Sequence, residues 1–167
     1  MPQPRKAPPE FPVAVVIDTR EQRGYRFDRI KADADEGGDR LAVRTLRGTL
    51  ATGDYSLEGH TDAVTVERKS LADLFGTLGK GRDRFERELL RLSVMACPNV
   101  VVEAEWRDVF TNPPPHSMLS PKTVARSVIA WRCRYPAIHW WFLPGRAVAE
   151  AWTFRLLERF HTEVTAS

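Results

Sequence analysis

Short apolar runs rich in β-branched residues alternate along the chain with segments of helical periodicity, and these two patterns predict an α/β fold on a mixed sheet. A third observation places a site in that fold: acids stand on or at the ends of the strand-like runs, at Asp18, Asp54 and Glu67. The 167 residues suffice for one domain with a real core, and an apolar share of 43% excludes a chain disordered throughout.

Residues 1–12 are proline-rich, lack the apolar centre of a signal peptide and are expected as a disordered tail. Val13 to Ile17 is a β-branched run bounded by Pro12 and Asp18, which fits a strand buried on both faces. Asp18 is a strand-ending cap on one reading and a site acid on the other; the second strand-plus-acid unit that follows favours the site. Gln22 to Arg40 is polar, a short helix or loop that runs into a mobile acidic turn, Asp35-Glu36-Gly37-Gly38-Asp39. Leu41 to Leu46 returns to strand character. Leu50 to Leu57 and Ala63 to Lys69 form a hairpin about Glu58–Asp62, with His60 facing solvent at its tip.

Ser70-Leu71-Ala72-Asp73 resembles a capping box, which gives Asp73 a structural role beside the alternative one of supporting Lys69. Glycines at 76, 79 and 81 break the helix that starts there. Arg82 to Ala96 reads as a helix with Phe85, Leu89, Leu92 and Ala96 on its buried stripe. Arg84, Arg87 and Arg91 fall on another face, read equally as a solvated face paired with Glu86 and Glu88 or as a grip on a nucleic-acid backbone.

Asn99 to Glu105 is a further strand, whose acids Glu103 and Glu105 are read as structural. Trp106 to Phe110 is a helical turn, and Pro113-Pro114-Pro115 makes a stiff loop that cannot join a sheet. Ser120-Pro121 opens a helix that runs to about Tyr135, since Pro136 follows. Ile138 to Leu143 is the last strand. Arg146 to Phe160 is the last helix, with Val148, Trp152, Leu156 and Phe160 on its buried stripe, and residues 163–167 form a loose end.

The alternation of Val64 to Lys69 puts Glu67 and Lys69 on one face of their strand and Arg68 on the other. Two carboxylates, Asp54 and Glu67, brought together with Lys69 at the ends of apolar strands are costly to bury unless they pair or hold a cation. Oxygen donors select a hard ion, Mg2+ or Mn2+. Such an ion polarises a phosphate and lowers the pKa of its water, and a nearby ammonium orients that water or offsets developing charge, so the constellation suits phosphodiester hydrolysis.

The net charge of +3 and pI of about 9.1 permit a nucleic-acid partner without requiring one. Cys97 and Cys133 lie in no metal-binding spacing and read as free, buried thiols of a reducing cytosol. No apolar run approaches transmembrane length.

Three blocks in order, Val-Ile-Asp18-Thr19-Arg20-Glu21, Gly53-Asp54-Tyr55 and Glu67-Arg68-Lys69-Ser70-Leu71-Ala72-Asp73, resemble the nuclease domain of the XPF-type structure-specific endonucleases. The later Leu78-Gly79-Lys80-Gly81-Arg82 segment fits the same pattern, the resemblance covers about Val13 to Phe160, and the nuclease domain is expected over residues 13–162. It implies a restriction-endonuclease-like fold, a mixed central sheet flanked by helices, and Mg2+- or Mn2+-dependent cleavage of branched, flapped or forked DNA near single-strand/double-strand junctions, as in DNA repair. By position it makes Asp18, Asp54 and Glu67 the metal acids, with the Arg68 carbonyl as a backbone ligand and Lys69 beside the attacking water. Arg20, Arg68 and Asp73 complete the catalytic signature in support, and Lys80, Arg82, Arg84 and Arg87 are the expected nucleic-acid contacts. It also implies a homodimer formed through the C-terminal helices. A cytoplasmic or nucleoid-associated protein of bacterial or phage type is the expected setting.

The resemblance does not extend to the tandem helix-hairpin-helix module of many relatives, and Glu86 stands where relatives often carry Gln. Two other readings stay open: a DNA-binding pseudonuclease that scaffolds a partner, and a Holliday-junction resolvase or nicking nuclease of the same broad fold. The presence of Asp54, Glu67 and Lys69 disfavours the first.

Overall fold

A computed structural model of the chain describes residues 7–32 and 40–166. The strands are β1 (Val15–Asp18), β2 (Thr45–Gly48), β3 (Tyr55–Leu57), β4 (Val64–Lys69), β5 (Cys97–Val102) and β6 (His139–Phe142). The helices are α1 (Leu71–Leu78), α2 (Arg82–Leu92), α3 (Trp106–Thr111), α4 (Pro121–Arg134) and α5 (Arg146–Ala166). The strands form one sheet in the order β2-β1-β3-β4-β5-β6. β3 runs antiparallel to both β1 and β4, while the β1–β2, β4–β5 and β5–β6 pairs are parallel, so the sheet is mixed as its sequence pattern predicts.

The two-residue period of the strands sorts the core into two layers. Val15, Ile17, Val64, Val66 and Val101 pack on one face with Phe154 and Leu157 of α5. Val100, Val102 and Trp140 pack on the other with α1, α2 and α4, through Leu74, Phe85, Leu89, Val128 and Trp131. β4 continues this alternation past Val66: Lys69 Nζ lies 4.3 Å from the Phe85 ring centre on the α2 side, and the Arg68 guanidinium lies over Tyr25 on the α5 side. The glycine-rich segment ends α1 at Leu78, with Gly76 still inside the helix, and Gly79 N donates to the Phe75 carbonyl at 3.0 Å.

Several elements depart from the sequence reading. Residues 9–11 are not a loose tail: Phe11 is buried, its N–H donates to the Ala42 carbonyl, and Ala42 N–H donates to Pro9. That pairing occupies Ala42, so the β2 ladder starts at Thr45 and not at Leu41. Residues 22–32 hold no helix; Tyr25, Phe27 and Ile30 turn into the core instead. The expected acidic turn, 35–39, lies outside the described residues.

His60 packs edge-on against Phe160, centroids 5.6 Å apart, because α5 passes the hairpin tip. α2 stops at Leu92, four residues short of Ala96. α5 runs on to Ala166, through the expected loose end, and buries Ala149, Thr153, Phe154 and Leu157, while Val148 and Trp152 stay 39% exposed. The buried stripe is therefore offset from the expected one, whose Leu156 and Phe160 pack partly buried against the same core. Cys97 is partly buried and Cys133 is exposed on α4, against the expectation of two buried thiols. Among the described residues no helix is long and apolar enough to cross a membrane.

Candidate active site

The site stands where β1 and β4 end and β3 begins. Asp18 N–H donates to the Asp54 carbonyl at 2.8 Å and Asp54 N–H to the Val66 carbonyl at 2.9 Å, so the ladder itself sets Asp54 between β1 and β4. Gly53 makes the approach possible: its φ is +78°, and a Cβ there would fall 2.0 Å from the Thr65 hydroxyl. Asp54 Oδ2 accepts the Arg68 N–H at 2.7 Å, a contact that takes the place of a strand bond. Lys69 Nζ donates to Glu67 Oε1 at 2.6 Å, with both side chains nearly covered.

Asp54, Glu67, Arg68 and Lys69 line one open cleft of about 1050 Å³, edged by Lys80 and Arg84. Burial, then the nearby Glu67 charge, push the Asp54 carboxyl up to about 8 against the opposing Arg68 N–H. A carboxylate crowded by a second carboxylate is the electrostatic mark of a place that favours a cation. The donor set fits a hard divalent ion: Asp54 and Glu67 supply carboxylate oxygens, and the Arg68 carbonyl, two residues beyond Val66, points by strand alternation to the same side.

Asp18 is placed differently from the expected metal cluster. Its Oδ1 accepts Arg20 N at 2.8 Å and Arg20 Nε at 2.7 Å, and its Oδ2 accepts Arg20 Nη2 at 3.0 Å and Leu50 N at 2.7 Å. Burial opposes its charge, but these donors outweigh it and hold the pKa below the usual carboxylate range. Asp18 does not line the cleft, and among the described residues no three His, Cys, Asp or Glu side chains form a metal-binding group. The geometry therefore joins Asp54, Glu67 and Lys69 and leaves Asp18 as the anchor of the β1 end.

The supporting residues divide in the same way. The Arg68 side chain is clamped to Glu103, Nε–Oε1 2.7 Å and Nη2–Oε2 3.0 Å, and Glu103 also accepts from Tyr25 and Arg146. Arg20 serves Asp18 and the Leu50 carbonyl but keeps 66% of its side chain exposed on the cleft rim. Asp73 makes the capping box with Ser70, accepting Ser70 N at 3.1 Å while Ser70 Oγ accepts Asp73 N at 3.1 Å. Lys80 and Arg84 reach the cleft. Arg87 is exposed outside it. Arg82 is turned inward, bonded to Ser127 Oγ at 2.9 Å and stacked on Trp131, so its guanidinium joins α2 to α4.

Two acids enter the site that the sequence left unassigned. Glu21 is brought back by its N–H bond to the Asp18 carbonyl; it lines the cleft and sits 3.3 Å from Arg68 Nη1. Its place directly after the Asp18-Thr19-Arg20 block was the available signal. Glu88, on α2, carries no such signal, because only the docking of α2 brings it to the Gly53 turn.

The fold and the cleft define a mixed-sheet α/β domain with a strand-end pair of carboxylates and a lysine. The ERCC4 domain model matches residues 17–156, and the chain belongs to that family, which is one of XPF-type nuclease domains and is generally dependent on divalent metals. Among solved structures, XPF from Aeropyrum pernix is similar with a TM-score of 0.59 and 20% identity, covering 92% of this chain. This chain spans 62% of that one's length. No curated protein sequence matches significantly.

Proposed function

We propose that the chain is a divalent-metal-dependent endonuclease that hydrolyses phosphodiester bonds in branched or flapped DNA near single-strand/double-strand junctions. One observation carries the reading: Asp54 and Glu67 meet beside Lys69 in an open cleft whose rim is basic. Asp54, Glu67 and the Arg68 carbonyl are the residues suited to hold Mg2+ or Mn2+, with Asp18 acting through the β1 end. When bound, such an ion supplies Lewis-acid polarisation of the scissile phosphate and a more acidic water.

The chain's own groups do the rest. Lys69 Nζ, fixed by Glu67 and the Phe85 ring, is placed to orient the attacking water or to meet charge on a phosphate oxygen. Lys80 and Arg84 hold flanking phosphates of the strand. The Arg68–Glu103 clamp keeps the β4 end rigid while substrate enters. Pairing of two copies through the C-terminal part of the chain is the assembly that accompanies this reading; Trp152 and Ile129, 39% and 60% exposed, are its candidate contacts.

The deciding experiment incubates the purified chain with flap, fork, four-way and plain duplex DNA in Mg2+ and in EDTA. Metal-dependent cuts near flap or fork junctions are expected. Binding without cleavage in Mg2+ and Mn2+ assigns the chain as a scaffold, and four-way junctions cut in preference assign it as a resolvase.

A further inference from the structure

The ladder fixes the Asp54 backbone, and the turn that leads into it is also held from outside the sheet. The Thr52 hydroxyl and the Gly53 N–H both donate to Oε1 of Glu88, the latter at 3.1 Å, and Glu88 Oε2 accepts from Arg91. The Glu88 side chain is 18% exposed, and it lines a smaller pocket adjoining the cleft with Asp54, Glu67, Lys69 and Arg84. Both of its oxygens are engaged, Oε1 by two donors of the turn and Oε2 by Arg91. We propose that Glu88 is a positioning residue for Asp54: from α2 it clamps the Thr52–Gly53 turn and so sets the distance between the acid pair and the basic rim.

The surrounding geometry argues for a clamp rather than a generic helix anchor. α2 already docks through Phe85, Leu89 and Leu92, so a carboxylate is not needed to bury the helix. Gly53 takes its left-handed backbone freely, having no Cβ, and Thr65 fills the space a Cβ would take while donating to the Thr52 carbonyl at 3.0 Å. The turn is thus pinned from the sheet by Thr65 and from the helix by Glu88. α2 also carries Arg84, so the helix that meets the DNA backbone is the one that holds the turn. A strand held by Arg84 and a reacting acid set by Glu88 share one rigid body.

This inference rests on the nuclease reading, and the test keeps the two apart. Glu88→Gln keeps an acceptor for Thr52 and Gly53; Glu88→Ala removes it; Thr52→Val removes one of the two donors and leaves the helix untouched. Single-turnover cleavage of a flap substrate, DNA affinity in EDTA and the Gly53 amide in a 1H–15N spectrum are measured for each. Glu88→Ala is expected to slow cleavage by about 10- to 100-fold with DNA affinity within about threefold. Its Gly53 amide is expected to move upfield and lose exchange protection. Glu88→Gln is expected to recover most of the rate and the amide position, and Thr52→Val to fall between. A wild-type rate in Glu88→Ala, an unmoved Gly53 amide, or a loss carried wholly by DNA affinity overturns the proposal. If Glu88→Ala does not fold, Thr52→Val decides: unchanged rate and amide reject the clamp. A wild-type chain that cuts no DNA overturns the nuclease reading, while the Gly53 amide still reports whether the clamp exists.

Discussion

Asp18 and Asp54 stand one hydrogen bond apart and are electrostatic opposites. Asp18 is covered but answered by four donors, three from Arg20, and its pKa falls. Asp54 has one donor and a carboxylate neighbour, and burial first, then the Glu67 charge, raise its pKa from 3.8 to about 8. The two therefore act on stability with opposite sign. Between those two values the folded chain keeps the Asp54 proton that the unfolded chain has released, so this group's contribution to metal-free stability falls as pH rises and is fully lost above about pH 8. The Asp18 contribution is present at neutral pH and is lost on acidification below the usual carboxylate range. Urea unfolding in EDTA at pH 5, 7 and 9 is expected to show Asp54→Asn flattening the decline toward high pH. Asp54→Asn and Glu67→Gln are each expected to lower cleavage by at least about 1000-fold with DNA affinity nearly unchanged, read by single-turnover rates and by binding in EDTA. Lys69→Ala is expected to lower turnover more than affinity in the same assays.

At the scale of elements, α2 has one face for DNA and another for α4, and its arginines divide accordingly. Lys80 and Arg84 reach the cleft, whereas Arg82 lies on Trp131 and Ser127. Each phosphate contact removed reduces the slope of log affinity against log salt by about 0.7–0.9. The Lys80→Ala/Arg84→Ala pair is therefore expected to lower that slope by about 1.4–1.8, and Arg82→Ala to leave it unchanged while lowering the melting temperature. Fluorescence titrations across salt concentrations, beside calorimetric melting, check both. The α1 cap is a separate matter: Ser70→Ala should cost about 1 kcal/mol of stability through the lost acceptor for Asp73 N.

Across the whole molecule the sheet separates two apolar layers that share few side chains, one under α5 and one under α1, α2 and α4. Leu157 lies in the first and Leu89 in the second, both without exposed surface. Leucine-to-alanine substitution at either is expected to cost about 2–5 kcal/mol. Because the sheet stands between them, the double variant should equal the sum of the singles to within about 0.5 kcal/mol, by urea unfolding. The Leu89 change is also expected to slow cleavage, since α2 carries Glu88 and Arg84, whereas the Leu157 change is expected to leave the rate near wild type.

The order of strands and helices, the hairpin at 58–62, the capping box and the joint placing of Glu67 and Lys69 were all readable from the chain, because each depends on a local period or a spacing of a few residues. Four things came only from the tertiary structure: the Leu50 amide on Asp18, the inward turn of Arg82, the offset stripe of α5 and the reach of Glu88 to Gly53. Each depends on which surfaces meet across 30 or more residues, or on which side a helix turns to the sheet. Periodicity records which side of an element a residue occupies; it carries no record of the partner that side will find.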